Sequence, residues 1–142
     1  MTKLHLGVID IPHSGGKGNL TTGDLAEILE AKYHIYQTFY ERHQSEIIGA
    51  LERSLQDFLE DRLSGSPANA VSFAGGEAAI KALFSRFIDS EEMNGLPGVP
   101  TAAARAGVSH RRKHPYAKRN PPRPSFRDTG EFEDAFRAWV EE

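Results

Sequence analysis

His110 and His114 stand four residues apart, the spacing at which a helix offers two imidazoles to one zinc ion. Arg111, Arg112 and Lys113 lie between them and Pro115 follows, so a dication would meet three positive charges, and no Glu takes the place of the base in an HExxH site. They are read as surface histidines of a basic loop; His34 and His43 are read as ordinary, partly exposed residues on or near helix faces. The run His13 to Asn19, HSGGKGN, has the composition of a phosphate-binding loop. That loop needs a Gly five residues before its Gly-Lys pair and a hydroxyl after it, to cradle phosphates and hold magnesium. Ile11 and Gly18 stand in those places, which leaves a mobile loop or a hairpin turn. Ser14, Ser72, Ser109 and Ser125 are not in a Gly-x-Ser-x-Gly turn, and Ser66 precedes Pro67 after a helix. Glu27 with Glu30, and Glu91 with Glu92, suit helix surfaces and ends better than a glycosidase pair. The chain is therefore expected to be no enzyme, with no catalytic residue, metal or cofactor.

The strongest chemical signal is charge. From Arg105 to Arg127 there are eight basic residues and no acid, while the rest of the chain has nine basic and twenty acidic residues, so +8 and −11 combine to the net −3. Arg111, Arg112, Lys113, Lys118, Arg119, Arg123 and Arg127, with Tyr116 and Phe126 interleaved, could neutralise phosphates and bind nucleic acid in a salt-sensitive way. Against that stand the acidic remainder and the want of a recognition-helix pattern. From Asp24 to Arg62 nine acids face four basic residues, a natural counterpart for the basic arm within one subunit or between neighbours.

A chain of 142 residues fits one domain, and 39% apolar with 26% charged residues suits a folded rather than a disordered protein. Thirteen Gly and eight Pro point to a large share of loop. With no cysteine there is no disulfide or thiolate site. No signal-peptide h-region and no apolar run near about 20 residues occurs, so the chain is read as cytosolic when made, without a membrane. Residues 1–20 comprise a strand, from the alternation of Leu4, Leu6 and Val8 with His5 and Gly7, and the Gly-rich loop. Residues 21–93 form a helical body. Thr21 and Asp24 make a capping box, helices are expected over 24–42 and 45–63 or as one continuous rod, Ser64-Gly65-Ser66-Pro67 stops them, and a third helix runs over 76–89 with a further turn to Met93. Residues 94–127 form a long arm in which Thr101 caps a short helix and four prolines keep the rest extended. Residues 128–142 form an amphipathic element with Asp128 three before Glu131 in a capping box; Phe132, Phe136, Trp139 and Val140 share a helical face. A helix is preferred there over a strand for 135–140. The class is α+β, mostly α, with a small β component.

The stretch HPYAKRNPPRPSFRDTGEFEDAFRAWVEE resembles a family of small structural proteins of tailed-phage virions. The likeness rests on HPYAKR, on RPSF, and on Asp128-Thr129-Gly130 followed by Phe132, Ala135, Phe136, Arg137, Ala138, Trp139 and Val140. TTGDLAEILEAKYHI and PGVPTAAARAGVSHR extend it over most of the chain. The resemblance implies a bacteriophage structural protein of the neck, head-tail connector or tail-completion type, assembled as a homo-oligomeric ring around the DNA channel. Its partners would be copies of itself and neighbouring neck or tail proteins, with nonspecific contact to channel DNA. On that reading the seven arm cations bind acidic neighbours, and Tyr116, Phe126, Phe132, Phe136 and Trp139 supply apolar anchorage; the alternative for Phe132, Phe136 and Trp139 is that they complete the subunit core.

Overall fold

The computed structural model describes residues 2–12, 18–67 and 70–141, so most of the Gly-rich run, 13–17, lies outside the described residues. Leu4, Leu6 and Val8 turn to the core from β1, Lys3–Val8, as their alternation requires. The strand pairs antiparallel with β2, Phe136–Glu141, Val8 opposite Phe136 and Lys3 opposite Glu141. The preference for helix over 135–140 is corrected here: a short helix, α5 (Glu131–Ala135), ends where β2 begins. Phe132 and Phe136 fit a helical repeat, but Phe136, Ala138 and Val140 fit a two-residue repeat equally well. The deciding constraint is β1, whose backbone groups need a second strand to pair with. Gly130, at φ 86°, is the N-cap of α5 rather than Asp128.

Helix α1, Thr22–Tyr33, opens with the expected capping box: the Thr21 hydroxyl accepts the Asp24 amide at 3.2 Å, and Asp24 accepts the Thr21 amide at 3.0 Å. It ends at His34, φ 54°, where α2, Ile35–Leu63, begins. The sequence pattern suggests either a break near residues 43–44 or one continuous rod; the break falls at His34 instead, and α2 has only a kink at His43. Glu30 explains the earlier break. Its carboxylate accepts the amides of Tyr36 at 2.7 Å and Gln37 at 3.3 Å, satisfying the first turn of α2 from the preceding helix. At the other end Gly65, φ 90°, closes α2 with Ser66 N donating to Asp61 O at 2.9 Å, as the stop signal predicts.

Helix α3, Ala74–Asp89, runs back along α2, with Gly76 N donating to Ser54 Oγ at 3.0 Å near one end and the Phe87 ring meeting His43 near the other. The approach is tight: a Cβ on Gly76 would lie 2.9 Å from the Ala50 carbonyl oxygen. Inside, Ile35, Phe39, Ile47, Ile80, Phe84, Phe87 and Phe136 are essentially fully buried, and Phe84 stacks on Phe136 at 4.0 Å between centroids. The apolar face expected of residues 45–63 is only partly used, since small Ala50 and Ser54 make the crossing while Ile48, Leu55, Leu59 and Leu63 stay exposed. A last short helix, α4 (Ala102–Arg105), is capped by Thr101, whose hydroxyl accepts the Ala104 amide at 3.2 Å.

Candidate interaction surface

Residues 106–130 contain neither helix nor strand. Their two limbs are instead tied to each other. Arg123 N donates to Ala104 O at 3.0 Å, its Nε donates to Val108 O and its Nη1 to Pro124 O at 2.9 Å. Gly107, φ 67°, lies so close to Asn120 and Pro121 that no side chain would fit. Asp128 binds across the loop: it accepts the His110 amide at 2.7 Å and the His110 Nδ1, while Ser109 Oγ donates to the Asp128 carbonyl at 3.2 Å. The Tyr116 hydroxyl meets His110 Nε2 at 3.1 Å, and Asn120 Nδ2 donates to His114 O at 2.9 Å and Pro115 O at 3.0 Å. His110 and His114 thus sit in a loop, not on a helix face, and among the described residues no group of three His, Asp or Glu is placed to hold a metal ion. The Asp128–His110–Tyr116 line joins base to tip and braces the turn.

The loop is also fastened to the body. Arg127 Nη1 pairs with Asp89 Oδ1 at 2.8 Å, at the end of α3. Phe126, at φ 68°, sets the edge of its ring against Tyr33 of α1, centroids 5.0 Å apart, and Ser125 Oγ accepts the Thr101 amide at 3.1 Å. Between loop and α1 lies a groove of about 360 Å³ walled by Leu25, Leu29, Tyr33, Phe126 and Phe132. Beneath Arg127, Glu133 is buried. Burial first, then the charge of Asp89 and a hydrogen bond to it, raise its pKa to about 7, against the opposing pull of Arg127 and Ser85.

The proposed contact residues therefore separate. Arg123 and Arg127 hold the loop together and to the body, and Arg112 reaches back to Gly107 O at 3.4 Å. Burial lowers the pKa of Arg123, Asp128 opposes, and Arg112 adds to the lowering. Lys113, Lys118 and Arg119 are exposed, and Arg111, also exposed, lies against Gly130. Tyr116 is 70% exposed at the tip. Phe132 and Phe136 belong to the core, which settles their alternative. Trp139 does not: it is 44% exposed on the outer face of the sheet, stacked on His5 at 5.2 Å and lying across Gly7.

One surface was missed. Leu55, Leu59 and Leu63, 42%, 57% and 89% exposed, line the free end of α2 at four-residue spacing, among the exposed acids Glu52, Asp57, Glu60 and Asp61. The signal was the small pair Ala50 and Ser54, which marks the face a neighbouring helix approaches and so turns the bulky stripe outward. No helix of the described residues is long and apolar enough to cross a membrane. Compared with protein-family models, curated proteins and solved structures, the chain matches none.

Proposed function

We propose that this chain is a non-enzymatic structural component of a tailed-phage virion, one of the copies that build a ring in the neck or tail-completion layers around the DNA channel. The likeness of its HPYAKR, RPSF and DTG-to-FRAWV segments to virion structural proteins supports the reading. The observation that carries it is the division of the basic loop into a fastened base, at Arg112, Arg123, Asp128 and Arg127, and an exposed tip carrying Lys113, Tyr116, Lys118 and Arg119. A tip held in shape before it meets a partner loses little entropy on docking. An acidic body on every neighbouring copy offers the complementary charge.

Light scattering and electron microscopy of the purified protein test this. The expected result is a multimer, seen as closed rings, that dissociates when Lys118→Glu and Arg119→Glu reverse the tip charge. A chain that stays monomeric and neither forms a ring nor docks on isolated phage necks or tails would refute the reading. The exposed tip cations also favour a second one, a nucleic-acid-binding module. It requires DNA affinity that falls steeply and linearly with log salt, a few phosphates being neutralised; contact with channel DNA in a ring would be weak and indifferent to sequence.

A further inference from the structure

We propose that the bare end of α2 is the receiving surface for the basic loop tip of a second copy of this chain. The inference rests on the ring reading and says which two surfaces meet.

The end of α2 lies far from the point where the basic loop is anchored. His43 of α2 contacts Phe87 and Glu92, level with the Asp89–Arg127 pair that anchors the loop. At about 1.5 Å per residue, the helix from His43 to Leu63 carries its free end about 30 Å from that anchor. Each patch lacks what the other has. The end of α2 offers Leu55, Leu59 and Leu63 with four exposed acids against Arg53 and Arg62. The loop tip offers one aromatic side chain, Tyr116, among Lys113, Lys118 and Arg119. Two α2 ends packed on each other would set acids against acids, and nucleic acid would be repelled by them, so a second copy's cationic tip is the occupant that charge selects. A contact between two unlike patches of identical copies is head-to-tail, and it closes into a ring or winds into a helix.

The chain has no cysteine, so single-cysteine variants report the contact directly. Leu59→Cys and Tyr116→Cys are purified separately, mixed, oxidised and resolved by mass under denaturing conditions. The expected product is the mixed dimer, with little disulfide dimer from either variant alone, and its yield drops by at least about tenfold when Lys118→Glu and Arg119→Glu are added to the Tyr116→Cys chain, setting like charges together. Preferential Leu59→Cys homodimer would overturn the proposal in favour of an end-to-end contact. A wild-type multimer by light scattering with no cross-link in the mixture would overturn this pairing of surfaces and leave the ring reading standing; a wild-type monomer with no cross-link, and no docking on isolated necks or tails, would overturn both.

Discussion

The two ends of the α2–α3 pair are put to opposite use. At the end near His43, the imidazole sits between Glu46 at 2.8 Å and Glu92 at 2.9 Å, Arg42 donates to the Glu92 carbonyl, and Arg127 joins Asp89, so side chains from α2, α3, the following turn and the loop close on one another. At the end near Leu63, a stripe of leucines faces solvent and only Phe58 is half-buried over the last two turns. Burial of a Leu side chain is worth roughly 1.5–3 kcal/mol, so three exposed leucines in a row are stabilisation this fold leaves unused. Apolar pattern marks where a helix can be buried; the presence of a partner within the chain decides whether it is.

The largest effect expected from testing that contrast is in the core between the two ends. Phe84→Ala removes a fully buried ring stacked on Phe136 and should cost about 3–5 kcal/mol in denaturant unfolding. Next is the crossing itself. Gly76→Ala places a methyl 2.9 Å from a backbone carbonyl that cannot swing aside, so a loss of about 1–3 kcal/mol is expected. If Gly76→Ala proves neutral, α3 does not lie this close to Ala50, and the account of why the leucine stripe faces outward fails with it.

Much of this arrangement was legible from local pattern, because local chemistry determines it. Thr21 and Asp24 meet within one turn, Gly65 takes the left-handed conformation its position asks for, and Leu4, Leu6 and Val8 face inward by alternation. What escaped depends on partners distant in sequence. Glu30 caps α2 from six and seven residues away, outside any N-cap template. Asp128, three before Glu131, reads as a cap but is drawn to His110, eighteen residues back. Residues 136–140 carry both periodicities, and only the need of β1 for a partner selects one. Within the acid-free window the cations look alike; Arg123 and Arg127 are singled out by backbone carbonyls and by Asp89, which composition cannot reveal.

A further effect concerns the charges at the closed end. Glu133, whose Oε2 is buried without a hydrogen-bond partner, titrates near 7 instead of 4.5. Because the folded pKa is the higher one, the folded state holds the extra proton between those values. The contribution is complete below 4.5 and lost as pH rises through about 7. Thermal midpoints should therefore fall between about pH 5 and pH 8, and Glu133→Gln should flatten that fall and be the more stable protein at the upper end by roughly 1–3 kcal/mol. His43 adds a slope of the same sign. Burial works to lower its pKa, but the hydrogen bonds and charges of Glu46 and Glu92 prevail and raise it, so its contribution too is lost as pH rises above the folded value. The slope remaining in Glu133→Gln should be reduced further in the double variant with His43→Gln. A wild-type midpoint flat over this range would mean that burial does not raise the pKa of Glu133.

The smallest effect is the most pointed. Leu59→Ser replaces a large apolar side chain on a long helix, the kind of change that in a core would cost several kcal/mol. At a position 57% exposed it should alter monomer stability by no more than about 0.5 kcal/mol, since Ser and Leu differ by only a few tenths in helix preference. If a second copy covers the leucine stripe as proposed, the same substitution should weaken self-association. Measured at a concentration where wild type is monomeric, unfolding isolates the first effect; measured where it is assembled, the loss should grow with protein concentration. A concentration-independent loss above about 1 kcal/mol would place Leu59 inside the chain's own fold and erase the contrast between the two ends of α2.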